Sequence, residues 1–311
     1  MSRLACYFAV LTALVSPIAM ATTESTFTVT VHPYGSDDNY TRNYAYEYGT
    51  TASENAIIFI NGLYGGPHTN PFVRRVADQI QKAQNLSYSV FEIRLNSAFT
   101  AFGAYSIFDD AADISVLVKY LRSIRKRNIV LYGHSSGCQD CMAYIDNAKH
   151  DNPSVDGFIL QAPVSDREYL QTRNFYHRKL DAASKLIEAG KPNECIPREG
   201  GVGPPLTAYR VYSLYAKGGD EDFFSSDLSN ETVTGFWQRF QKPVLVLFSE
   251  NDQFVPQNID QKKKLQRYRE ANPQQVSQLS GLIPNATHSL VGDTEAHGWL
   301  ADKVEAFLRT L

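Results

Sequence analysis

The spacing of apolar positions changes repeatedly along this chain, and each change marks an element. Residues 26–35, TFTVTVHPYG, alternate apolar and polar, the period of a strand with one face in water, and 43–49, NYAYEYG, read as its antiparallel partner. Residues 56–62, AIIFING, form a continuous apolar run closed by glycine, which suits a parallel strand buried on both faces. Helical spacing follows over 71–84, a strand over 87–95, and an amphipathic helix over 109–127 with acids early and bases late, as the helix dipole favours. Strands over 128–133, 155–163, 242–252 and 278–286, with helices over 137–149 and 297–311, complete the pattern.

Strands alternating with helices predict an α/β protein: a mostly parallel sheet of about eight strands, covered on both faces, with an antiparallel start. The rhythm breaks once, across about 164–241. That stretch holds helical pieces, a Pro/Gly-rich loop (KPNECIPREGGVGPP) and an aromatic segment (LTAYRVYSLYAKGGDEDFFSS). It reads as an insertion over the C-terminal edge of the sheet, where ligands bind in such folds, and a cap is its natural role.

Composition narrows the function. The chain has 311 residues, 43% apolar and 20% charged, with a net charge of −3, so no nucleic-acid footprint and no polybasic membrane patch is expected. The 18 Tyr and 17 Phe suit a folded core and an aromatic-lined pocket. At the N-terminus Arg3, the run LACYFAVLTALVSPIAM and Ala19-Met20-Ala21 have the form of a signal peptide over 1–21, cleaved after Ala21, with a single domain over 22–311. The run is short for a spanning helix and Pro17 interrupts it, and no later stretch has the length of a membrane span. The expected product is secreted or lumenal. Sequons at Asn39, Asn85, Asn230 and Asn285 fit that route. Cys6 leaves with the leader. Cys138, Cys141 and Cys195 remain, an odd count without a disulfide framework, although a bridge among them stays open in an oxidising compartment. The C-x-x-C of Cys138 and Cys141 lacks two further ligands at zinc spacing, so it reads as helix packing, and neither metal nor cofactor is expected.

The chemistry starts at Gly133-His134-Ser135-Ser136-Gly137, a G-x-S-x-G between a strand and a helix. Such a turn lifts the serine above the sheet edge and sets the next N–H at a helix start; the flanking glycines make Ser135 the nucleophile. A serine needs a base, and the base an orienting acid, in the chain order Ser, Asp/Glu, His. The stretch KPVLVLFSENDQFVP offers Glu250 and Asp252; Asp252, farther past the strand in the turn closed by Pro256, is preferred. Of the seven histidines only His288 and His297 follow the acid; His288, in the loop after the last strand, is the base, with His297 the fallback. The oxyanion donors are the N–H of Ser136 and, from the Gly-rich loop Asn61-Gly62-Leu63-Tyr64-Gly65-Gly66, the N–H of Leu63. Tyr64 and His134 beside these groups, with Asp166 and Arg167 at the start of the insertion, are the candidate substrate-binding residues.

FINGLYGG, GHSSGCQDCMAYI, VDGFILQAPVSDREYL, PLTAYRVYSLYAKGGDEDFFSSDL and SENDQFVP together resemble a fungal and plant family of α/β-hydrolases that includes fungal siderophore (fusarinine C-type) esterases. The resemblance spans roughly 50–290. It implies the same triad (Ser135, Asp252 and His288) and a cap made by the insertion. Two features depart from the family: its oxyanion loop more often reads Gly-Gly-Leu-Gly-Asp, and its siderophore esterases act inside cells. The expected function is therefore a serine esterase acting through an acyl-enzyme on a small-molecule ester, siderophore-like or otherwise polar. The alternatives are a secreted lipase or peptidase of this fold and a non-catalytic, hydrolase-like ligand-binding protein.

Overall fold

The computed structural model describes residues 26–35, 42–146, 151–198 and 204–311. The leader over 1–21, Cys6 and the sequon at Asn39 lie outside the described residues. Eight strands form one sheet in the order β1-β2-β4-β3-β5-β6-β7-β8. β1 (Thr30–Gly35) and β2 (Arg42–Tyr48) pair antiparallel, with Thr30 opposite Glu47, and β2 pairs antiparallel with β4 (Tyr88–Ile93). β3 (Asn55–Ile60), β5 (Ile129–His134), β6 (Gly157–Gln161), β7 (Val244–Ser249) and β8 (Gly281–Ile283) run parallel, β3 between β4 and β5. β5, β6 and β7 are buried at every position, which is why they read as continuous apolar runs. This is the α/β-hydrolase sheet.

Helices cover both faces. α1 (Phe72–Lys82) and α9 (Thr294–Leu308) pack on one, burying Val76, Ile80, Leu300 and Val304 against Ile57, Phe59 and Tyr132. α2 (Ile107–Ser123), α3 (Gly137–Tyr144), α7 (Asn230–Trp237) and α8 (Gln261–Ala271) pack on the other. Between β6 and β7 the chain makes α4 (Asp166–Gln171), α5 (Tyr176–Glu188), α6 (Ala208–Tyr215) and α7. α5 and α6 share a third, smaller cluster around Ala183, Val211 and Leu214. α7 instead joins the main layer, where Trp237 stacks on Tyr268 of α8 with ring centroids 4.0 Å apart. Among the described residues no helix is long and apolar enough to cross a membrane.

Several element ends differ from the sequence pattern, each for a local reason. α2 begins at Ile107 because Ser106 and Asp109 form a reciprocal capping box, and it ends at Ser123, before the positive φ of Arg125. α3 stops at Tyr144, five residues short of the expected 149, and Asn152 Nδ2 satisfies the Tyr144 carbonyl at 2.9 Å. β8 keeps only three residues, with the turn Ser280 N–H to Ser277 O at 3.1 Å before it and Asn285 at φ 55° after it. α8 (QKKKLQRYREA) has no counterpart in the apolar pattern: its inner face is a thin stripe of Leu265, Tyr268 and the stem of Lys264. Cys138 and Cys141 are buried free thiols on α3 and Cys195 is an exposed one.

Candidate active site

β5 ends at His134, and the chain turns into α3 through Ser135, which holds φ 56°. A side chain in this left-handed region costs roughly 1–2 kcal/mol, and the surroundings enforce it. The Ser135 N–H donates to the Gln161 carbonyl of β6 at 3.0 Å, and the Ser135 carbonyl accepts from Cys138 N–H at 2.9 Å. The turn is too tight for neighbouring side chains: a Cβ on Gly133 would lie 2.2 Å from the Gly137 carbonyl oxygen, and one on Gly137 would lie 2.4 Å from that of Ile60. That crowding is the physical content of the G-x-S-x-G spacing.

His288 reaches the same place from the loop after β8. Its Nδ1 lies 2.7 Å from Asp252 Oδ2, with the two residues 4% and 6% exposed. An ionised carboxylate only accepts, so Nδ1 carries the proton and Nε2 is left as the acceptor. Asp252 Oδ1 takes the Phe254 N–H at 2.9 Å, and the His288 N–H donates to Gln253 Oε1 at 3.1 Å, so both partners are fixed. Ser135 and His288 line one cavity. The competing residues lie elsewhere: Glu250 accepts the Asn285 N–H at 2.8 Å on the surface, and His297 donates from Nε2 to the Leu290 carbonyl at 2.7 Å.

The loop after β3 lies against Ser135. Asn61 Oδ1 takes Asn70 Nδ2 at 2.7 Å and Thr69 Oγ1 at 3.0 Å, and Gly65 N–H closes a turn on the Gly62 carbonyl at 2.9 Å. Among the described residues, neither Leu63 N–H nor Ser136 N–H is taken by another protein acceptor. A Cβ on Gly62 would sit 2.6 Å from Ser135 Cβ and 3.1 Å from its Oγ. Gly62→Ala therefore displaces the serine or the loop, and a shift of this size lowers kcat by about 10²-fold while the folded structure persists. Steady-state kinetics beside circular dichroism checks this; unchanged kcat would show that the loop does not bear on the nucleophile.

The cavity holds about 550 Å³ and has mostly apolar walls. Tyr64, 59% exposed, stands at its mouth edge-on to Phe102, with centroids 4.6 Å apart. His134 forms part of the floor; its Nδ1 is bonded to Gln161 Oε1 and its ring lies 5.0 Å from that of His288. Burial, and then His288, push its pKa down to about 3, so it stays neutral beside the pair. Asp166 also lines the cavity and accepts Gln139 Nε2 at 2.7 Å; burial, and then Glu221, raise its pKa to about 7. Arg167 corrects the sequence expectation. It does not line the cavity, because its guanidinium is spent on Asp222, 3.0 Å from Nε, and on Asp227. The sequence reading missed Tyr169, Leu170, Phe175, Leu206, Leu214, Tyr215 and Phe254 as wall residues. The aromatic richness of the insertion was the available signal. Among the described residues no group of His, Cys, Asp and Glu is arranged to hold a metal ion.

Behind the Gly62 loop lies a knot of charge. Arg210, 2% exposed, pairs with Glu221, which also accepts Ser213 Oγ at 2.8 Å; Arg210 Nε donates to the Phe102 carbonyl at 2.8 Å. Asp110, Asp140 and Arg210 line a void of about 20 Å³, beside Ser136 and Gly62, with room for about one water. Burial raises the pKa of Asp110 to about 7 and holds Asp140 well above the ordinary carboxylate range. One guanidinium thus faces Asp110, Asp140, Asp166 and Glu221.

Comparison with known proteins gives the chain a family and relatives. A family model described as a protein of unknown function (DUF1749) matches residues 20–309. A UPF0613 protein of Schizosaccharomyces pombe is 29% identical over 286 residues, 84% of this chain and 89% of its own. The fusarinine C esterase sidJ of Aspergillus fumigatus is 27% identical over 334 residues, 86% of this chain and 92% of its own. Among solved structures, the siderophore hydrolase EstB of Aspergillus fumigatus superposes with a TM-score of 0.76 at 26% identity, covering 93% of this chain and 98% of its own.

Proposed function

We propose, from the premise that this chain belongs to the DUF1749 family, that it hydrolyses a carboxylic ester by way of an acyl-enzyme on Ser135. The esterase relatives support the reaction class. The observation that carries the residue roles is the His288 Nδ1–Asp252 pair at 2.7 Å facing the same cavity as the left-handed Ser135.

Ser135 Oγ attacks the ester carbonyl as His288 Nε2 takes its proton, and Asp252 stabilises the imidazolium. The N–H groups of Leu63 and Ser136 receive the oxyanion. Collapse of the tetrahedral intermediate passes the proton from His288 to the departing alkoxide and leaves the acyl group on Ser135. Water, deprotonated by His288, repeats the sequence and frees the acid. A cavity of about 550 Å³ with apolar walls and Asp166 and Lys179 among its lining suits a small amphipathic ester of the siderophore kind.

Fluorophosphonate labelling of the folded protein, read by intact mass and peptide mapping, tests this. One adduct on Ser135 is expected, abolished by Ser135→Ala and strongly slowed by His288→Ala. Folded protein that takes no label, or takes it elsewhere, would overturn the mechanism and leave the cavity as a binding site.

A further inference from the structure

The cavity wall carries a charge that the hydrolytic machinery does not use. Lys179 projects from the first turn of α5 into the cavity, half-buried, with its ammonium 4.8 Å from the centroid of Phe175, another wall residue. Among the described residues it makes no ion pair within 4.0 Å, unlike its neighbours Arg167, Lys217 and Arg210, which all have carboxylate partners. No acid occupies the first turn of α5 to neutralise it. The carboxyl on the wall, Asp166, is engaged by Gln139, and the charges acting on it are those of Glu221 and Arg210; the wall histidines His134 and His288 are engaged by Gln161 and Asp252. Lys179 therefore stands as an unpaired cation against an aromatic face in a largely apolar chamber. A ring covers one side of the ammonium and leaves its remaining N–H donors for an acceptor.

We propose that Lys179 selects esters carrying a carboxylate on the part of the molecule remote from the scissile bond. This rests on the hydrolase reading above and names the substrate class for that site. A half-acid ester would lay its apolar chain along Leu170 and Leu206 and set its carboxylate on Lys179. Water is partly excluded there, and the charge-assisted hydrogen bond gains over its value in bulk solvent. A neutral ester of equal length forgoes that bond and leaves the ammonium beside an apolar chain.

The test uses two matched pairs of p-nitrophenyl and alkyl esters. One pair differs only in a terminal methyl or carboxylate on the acyl chain, the other only in the same groups on the alcohol chain. The full chain and its Lys179→Met and Lys179→Arg variants are compared by kcat/KM. In one of the pairs the unaltered protein should favour the anionic ester by about tenfold, chiefly through KM. Lys179→Met should collapse that ratio toward one, Lys179→Arg should keep most of it, and added salt should shrink it in the parent and in Lys179→Arg but not in Lys179→Met. A parent ratio near one in both pairs, or a ratio untouched by Lys179→Met, overturns the proposal while hydrolysis continues. Absence of hydrolysis of all four esters, together with an unlabelled Ser135, overturns the hydrolase reading instead.

Discussion

On the proposed acyl-enzyme mechanism Ser135→Ala is expected to lower kcat toward any ester the protein hydrolyses by about 10⁵- to 10⁶-fold, because a nucleophile and its base act as one unit. Asp252→Asn costs about 10⁴-fold: the amide can present N–H to His288 Nδ1, which favours the tautomer with its proton on the wrong nitrogen. Glu250→Gln changes the rate little, since Glu250 spends its carboxylate on a surface N–H. Stability separates these effects from unfolding. Ser135 holds φ 56°, so Ser135→Gly removes the strain of a side chain there and raises unfolding free energy by about 1 kcal/mol while abolishing turnover. Urea titration alongside kinetics measures both. A Ser135→Ala protein with more than a hundredth of the parent rate would sink the acyl-enzyme assignment.

Arg210→Met costs about 3–5 kcal/mol at pH 8, the magnitude expected when one partner of a buried ion pair is lost. The cost arises because Glu221 loses its guanidinium and Asp110, Asp140 and Asp166 lose a cation that offsets their mutual repulsion. The pH dependence follows from the sign of the shifts. These carboxyls titrate above their unfolded values, so the folded state binds more protons. Their stabilising contribution is complete below the ordinary carboxylate range and is lost as the pH rises through about 7, where Asp110 and Asp166 ionise. Without Arg210 those values climb further, and the deficit of the variant should shrink as the pH falls from 8 to 5. Thermal melts across that interval give the answer; a deficit independent of pH would mean the carboxyls do not carry the effect.

The parts of the molecule legible in the sequence are those where one local pattern has one physical outcome. β5, the glycines around Ser135 and the run into α3 are such a case, because steric crowding within five residues determines the turn. Parallel strands buried on both faces leave long apolar runs that alternation cannot hide. α8 escaped because a helix burying only a thin stripe carries no strong period. β8 was overdrawn because apolar neighbours such as Leu279 and Ala286 pack without joining the ladder. Chain order singled out Asp252 and His288, which the structure brings together at 2.7 Å. The cavity wall was not readable: Phe102, Leu206 and Phe254 converge only after three distant segments fold, and no spacing rule connects them. Arg167 was misassigned because a charged residue beside a site looks the same in sequence whether it faces the ligand or an internal carboxylate.

The attachment between residues 102–103 and 205–210 has a consequence for how this protein adapts. Gly103 approaches Pro205 so closely that a Cβ would lie 1.9 Å from its carbonyl oxygen, Thr207 N–H donates to the Gly103 carbonyl at 2.9 Å, and Arg210 clasps the Phe102 carbonyl. Swinging α6 outward would strip a guanidinium from its carboxylates, so the chamber is a fixed mould rather than a closing jaw. Turnover should then start without a lag for enclosure, and the bulk of an admissible ester is limited by the opening beside Tyr64. New preferences can arise through cavity side chains such as the exposed Tyr64 and the half-buried Lys179. Changes at the clasp would instead cost the fold itself.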